Sequence, residues 1–127
     1  TELWSDCFVS MFSESPIVSA ENVYLGFTTL ANGCYYSMFY GCTSLTTAPE
    51  LPATTLAQNC YDSMFQNCSS LNYIKAMFTT TPSNSYTYYW VSGVADRGTF
   101  VKNSAATWNV TGLNGVPYRW TVETASE

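Results

Sequence analysis

The chain repeats itself about every 26 residues, and that period limits its fold more than any other feature. Residues 34–45 read CYYSMFYGCTSL, and residues 60–71 read CYDSMFQNCSSL. The offset is 26 (60 − 34), and it holds from the Leu30/Leu56 pair to the Leu45/Leu71 pair. An earlier copy carries Leu3, Cys7, Met11 and Phe12 at an offset of 27 (34 − 7). A fourth, degenerate copy puts Tyr86, Trp90 and Val91 where Cys60, Met64 and Phe65 stand. Such a unit cannot bury its own apolar face, so neighbouring copies must stack.

Within a copy, Leu56, Cys60 and Met64 are spaced i, i+4, i+8, which predicts the apolar stripe of a helix. Thr54 and Thr55 stand where an N-cap belongs, and Thr81-Pro82 has the N-cap and N1 order. The reading is helices over 3–13, 30–40, 56–66 and 82–91. Short strands follow at 45–48, 71–74 and 99–101. One strand and one helix per 26 residues falls within the leucine-rich-repeat range. The expected fold is an α/β, short right-handed leucine-rich-repeat solenoid, with parallel strands on one face, helices on the other and a C-terminal capping unit. Residues 1–94 would hold the repeats, and 95–127 the last strand and cap. Thr1 is not Met, and Thr1-Glu2-Leu3 enters in mid-repeat, which suggests a processed or excised segment with further repeats upstream.

Composition removes several functions. Lys and Arg total 4 against 9 acidic residues, a net charge of −5, so no basic patch exists to track a phosphate backbone. Nucleic acid is not an expected partner. The chain has no histidine, which removes imidazole acid–base chemistry and His-ligated zinc. No apolar run approaches the roughly 18 residues of a membrane helix. The nine carboxylates are scattered (Glu2, Asp6, Glu14, Glu21, Glu50, Asp62, Asp96, Glu123, Glu127) and suggest no glycosidase pair. The expectation is a protein that is not an enzyme and uses neither cofactor nor metal. Five cysteines stand at 7, 34, 42, 60 and 68. They read as buried free thiols, with Cys42 and Cys68 the one pair placed where a disulfide is geometrically open.

The run Met-Phe-x-x-Cys-x-Ser-Leu, with Leu-Pro-Ala-Thr-Thr-Leu between copies, resembles the BspA-like leucine-rich repeats of bacterial surface proteins. The similarity is close over residues 30–82, and the 90–102 tail also resembles that family's C-terminal end. Residues 14–25 depart from the pattern. The resemblance implies a secreted or surface-displayed recognition module, often an adhesin, without catalysis. It also leaves open a phage-borne receptor-binding or diversified variable domain.

On a helical projection, positions 58, 59, 62 and 66 and their equivalents share one face and differ in every copy. That face holds Tyr, Asn, Gln, Ser and Asp, a mixture of rigid aromatic anchors and adaptable polar groups. The expected ligand-binding surface is therefore a tyrosine-rich helical ridge (Tyr36, Tyr40, Asp62, Gln66, Tyr88, Tyr89) continued by two loop doublets, Asp96-Arg97 and Tyr118-Arg119. The alternative is a solvated face in a structural spacer. The Thr-rich strand face around Thr46, Thr47, Asn72 and Tyr73 is a second candidate. The ridge fits a host or bacterial surface protein or a glycan, in an extracellular or cell-surface setting or on a phage particle.

Overall fold

The computed structural model describes residues 3–125. Thr1, Glu2, Ser126 and Glu127 lie outside it, and with them two of the nine carboxylates and the start of the mid-repeat entry. Among the described residues the regular elements are three short strands and no helix. They are β1 (Tyr73–Ala76), β2 (Thr99–Lys102) and β3 (Thr121–Thr124). All pair in parallel, in the order β1-β2-β3, with Tyr73 opposite Thr99 and Thr99 opposite Thr121. Single parallel bridges extend the file backwards, Ser19 to Thr47 and Thr47 to Tyr73. The expected strands at 71–74 and 99–101 overlap β1 and β2, whereas the one at 45–48 is reduced to the bridge at Thr47.

The expected leucine-rich-repeat solenoid, with helices on one face, is overturned. Each segment read as a helix is a ribbon of consecutive tight turns. The reason lies in the backbone. A left-handed residue recurs every fourth position: Asp6, Ser10 and Glu14; Gly33, Ser37 and Gly41; Asn59, Ser63 and Asn67. A right-handed helix tolerates no such residue in its interior. Asp, Asn, Gly and Ser are suited to these places, because a small polar side chain or none lowers the cost of positive φ.

The hydrogen bonds of the second copy account for the whole ribbon. The N–H groups of Cys34, Tyr36, Met38 and Tyr40 each donate to the carbonyl three residues back. Those of Gly33, Tyr35, Ser37, Phe39 and Gly41 donate instead to the third copy, at Gln58, Cys60, Asp62, Met64 and Gln66 (2.9–3.0 Å). The carbonyls of Asn32, Cys34, Tyr36, Met38 and Tyr40 accept in the same way from the first copy. Every ribbon thus has a donor edge and an acceptor edge, and inner copies leave neither unpaired.

Two residues in four point inward. Cys34, Tyr35, Met38, Phe39 and Cys42 are buried, as are Cys60, Tyr61, Met64, Phe65 and Cys68. The aromatic column Phe8, Tyr35, Tyr61 is a central stack, with ring centroids 5.9 and 6.0 Å apart. Phe12, Phe39 and Phe65 form a second stack at 5.3 and 5.7 Å. Each such pair contributes roughly 0.5–1.5 kcal/mol beyond area burial. Trp90 closes both stacks against Tyr61 and Phe65.

The cysteines are free, and Cys42 and Cys68 are not joined. Their thiols donate to Phe12 O and Phe39 O, each at 3.0 Å, so each one ties its copy to the preceding one. Cys7 departs from the all-buried expectation and is exposed.

Candidate functional site

Tight inter-copy bonding lines up equivalent residues on the outer face. Tyr36, Asp62 and Tyr88 fall in one file, because their carbonyls accept in turn from Ser10, Ser37 and Ser63, each at 2.9 Å. Tyr40 and Gln66 fall in the next file, where their carbonyls accept from Glu14 and Gly41. The expected ridge is therefore a set of neighbours, although it is carried by turns and not by helices. Tyr36 is 39% exposed and Tyr88 is 41% exposed, while Tyr40 and Gln66 are half-buried. Tyr88 and Tyr89 stack on each other with centroids 4.4 Å apart, an arrangement reached with Tyr89 at a φ of 51°.

Asp62 breaks the pattern. Its side chain is buried and accepts a hydrogen bond from Ser63 Oγ at 2.8 Å, so it is withdrawn from the surface. The column Asp6, Gly33, Asn59 is corrected as well. Its residues vary among the types that accept left-handed backbone, so the variation there reflects conformation and not freedom. Asn32 is likewise structural, since its Oδ1 accepts from Gln58 N–H at 3.2 Å.

The two loop doublets meet at the C-terminal end. Asp96, Tyr118 and Arg119 line one cavity of about 300 Å³ together with Leu113 and Pro117. Tyr118 is 69% exposed, Asp96 and Arg119 are exposed, and Arg97 is exposed outside the lining. Indole groups fix both loops. Trp120 Nε1–H donates to Ala95 O at 2.9 Å, beside Asp96, and Trp90 Nε1–H donates to Gly115 O at 2.9 Å, two residues before Pro117. Gly112 adopts a φ of 118°, and a Cβ there would lie 3.2 Å from the Tyr118 hydroxyl. The backbone therefore passes close under the Tyr118 ring.

Asn114 joins this cavity to the ridge. Its Oδ1 accepts from Tyr89 N–H at 2.7 Å, and its carbonyl accepts from Thr87 Oγ1 at 2.6 Å. The tyrosine pair of the fourth copy and the cavity thus hang on one loop. Sequence separation of 22 residues between Asp96 and Tyr118 (118 − 96) hides their proximity. The clue in the sequence is that both doublets sit beside Trp- and Gly-containing loops.

A second concave region belongs to the strand face that sequence offers as the second candidate, although sequence does not single out the residues of the 14–25 segment that line it. Residues 21–26, with Thr28, Glu50 and Pro52, surround a cavity of about 550 Å³, over which Tyr24 stands 89% exposed. An adjoining cavity of about 270 Å³ sets Glu21 and Glu50 against Thr47, Tyr73 and Lys75. This is the Thr-rich strand face, extended by the 14–25 segment whose departure from the repeat is the available sign.

Burial pushes the thiol of Cys34 up to about 11 and those of Cys60 and Cys68 to about 12. Thiols held neutral in this way make poor nucleophiles and poor metal ligands. Comparison with protein-family models, curated proteins and solved structures gave no match. The BspA-like resemblance therefore rests on the residues that suggested it.

Proposed function

We propose that this chain is a non-catalytic recognition module, binding a protein or glycan through the cavity of Asp96, Tyr118 and Arg119 and the adjoining tyrosines. The observation that carries the reading is the convergence of those three side chains in one cavity of about 300 Å³ held by two buried indoles. The exposed Tyr118 ring offers a stacking platform. The Arg119 guanidinium and Asp96 carboxylate offer donors and acceptors for hydroxyls or peptide groups. Leu113 and Pro117 supply apolar lining, and apolar surface with a few polar groups is the usual make-up of small-ligand and hot-spot pockets. Tyr36, Tyr88 and Tyr89 extend the surface along the outer face.

The setting we propose is extracellular or cell-surface, supported by the resemblance of the repeat runs to bacterial surface proteins. Binding is tested on arrays of glycans and surface proteins with three proteins. These are the parent, a cavity variant (Asp96→Ala, Tyr118→Ala, Arg119→Ala) and a ridge variant (Tyr36→Ser, Tyr88→Ser), all checked for an unchanged melting curve. A hot-spot truncation typically costs more than about 1 kcal/mol, so the cavity variant should lose at least about tenfold in affinity. A hit that survives the cavity variant and is lost in the ridge variant moves the site to the ridge. A parent that binds nothing refutes the proposal.

A further inference from the structure

Both arginines of the chain stand at the C-terminal cavity. The sequence holds four basic residues, Lys75, Arg97, Lys102 and Arg119, in a molecule of net charge −5. The two lysines are engaged elsewhere in the fold. Lys75 Nζ lies 3.6 Å from a Glu50 carboxylate oxygen. Lys102 Nζ donates to Trp108 O at 2.8 Å and sits 4.6 Å from the centre of the Trp108 ring. Neither arginine forms an ion pair among the described residues, although Asp96 directly precedes Arg97 and lines the same cavity as Arg119.

The backbone holds the two arginines close together. Thr121 N–H donates to Gly98 O at 2.9 Å and Trp120 Nε1–H donates to Ala95 O, so residues 95–98 run alongside residues 119–121. Gly98 permits the approach, because a Cβ there would stand 2.7 Å from Trp120 Cε2. Arg119 takes a φ of 71°, a left-handed backbone that glycine would hold at lower cost. Strain of that kind collects at ligand sites. Asp96, Arg97 and Arg119 together carry one positive charge in excess, on a protein that is acidic as a whole.

Size and lining narrow the ligand further. A cavity of about 300 Å³ is at the small end of the roughly 300–1,000 Å³ found for ligand pockets, which suits a single sugar ring. The exposed Tyr118 ring gives that sugar a flat face to lie on.

We propose that this cavity binds a sugar ring bearing a carboxylate, a uronic or sialic acid residue of a glycan; the inference rests on the recognition function proposed above and names its ligand class. Arg119 receives the carboxylate through its planar fork, and Arg97 adds charge beside it. The Tyr118 ring takes the C–H face of the pyranose. Asp96 accepts hydrogen bonds from the sugar hydroxyls. A neutral sugar has the ring and the hydroxyls but leaves the guanidinium without a partner.

Matched ligand pairs test this, titrated into nitrogen-labelled protein and followed by NMR at the amides of Asp96, Gly112, Tyr118 and Arg119. Methyl glucuronide and methyl glucoside differ only in a carboxylate against a hydroxymethyl group. Sialyllactose and lactose differ only in the terminal acid sugar. A short neutral peptide with a free C-terminal carboxylate is the third probe. One or both acidic sugars should bind at least about tenfold more tightly than the neutral partner and the peptide. The pair that shows the preference identifies the acid, and added salt should narrow it. The Arg97→Gln, Arg119→Gly variant should bind both members of each pair alike. Glycine suits the φ at 119, and an unchanged melting curve checks the fold. Neutral sugars that bind as tightly as acidic ones would overturn the inference and leave the wider recognition function standing. A peptide that binds as tightly would overturn the sugar, and a preference that survives in the variant would overturn the role of the arginines. Probes that shift none of these amides would overturn the inference as well, while the arrays and the cavity variant described above decide the wider function separately.

Discussion

Replacing Ser10 and Ser37 by glycine should stabilise the protein, although both lie in segments whose apolar spacing suggests helix. Ser10 and Ser37 have φ of 55° and 53°. Holding a residue with a Cβ in that region costs roughly 1–2 kcal/mol, which glycine avoids. Glycine also loosens the unfolded chain, a penalty of about 0.4–1 kcal/mol. The net gain is about 0.5–1 kcal/mol per site. Ladder bonds persist, because the donors are the backbone N–H groups of Ser10 and Ser37, to Tyr36 O and Asp62 O. A chain of this size shifts by about 3–5 °C in Tm per kcal/mol. Urea unfolding of both single variants and the double should show a higher midpoint at unchanged slope. In a helix interior the same change costs a few tenths of a kcal/mol per site. A loss of stability at both sites would refute the ribbon argument.

Other outcomes follow from the same geometry. Met38→Ala should cost about 2–5 kcal/mol by urea unfolding, and the equivalent Met11→Ala, at the open edge, less than about 1 kcal/mol. Equal costs would contradict the difference in burial. Trp90→Phe removes the bond to Gly115 O and should cost about 1–3 kcal/mol while loosening the loop that carries Tyr118, seen as faster amide exchange at Asn114 and Gly115. Stability should fall on the alkaline side. The thiols of Cys34, Cys60 and Cys68 have folded values raised by burial from 9.0 to about 11 or 12. Their contribution is intact below pH 9 and is lost as the pH climbs through those folded values. Cys60→Ala should flatten that decline, and an unchanged slope would argue against the buried thiol.

The repeat and its register are legible in the sequence. The 26-residue offset that aligns Cys60, Met64 and Phe65 with Tyr86, Trp90 and Val91 also places Cys60 beside Tyr86 and Met64 beside Trp90 in the fold. The conformation within each copy is not legible from apolar spacing alone. An i, i+4, i+8 stripe serves a helix of 3.6 residues per turn and a four-residue ribbon alike. The discriminating residues are the ones between. Gly33, Ser37 and Gly41, like Asn59, Ser63 and Asn67, put types that accept positive φ at every fourth position. A helix gives no reason for that. On the outer face, Tyr36 and Tyr88 are placed as composition suggests, while Asp62 is lost to a local bond with Ser63. Convergence of Asp96 with Tyr118 and Arg119 depends on two indole bonds between distant segments, which no local pattern encodes.

The central claim is that adjacent copies are joined edge to edge by backbone hydrogen bonds, with no helix in between. Through-hydrogen-bond NMR couplings test it directly. The account predicts couplings from the amide nitrogens of Gly33, Tyr35, Ser37, Phe39 and Gly41 to the carbonyl carbons of Gln58, Cys60, Asp62, Met64 and Gln66. Couplings from these amides to carbonyls four residues back in their own copy would mean a helix, and would contradict it.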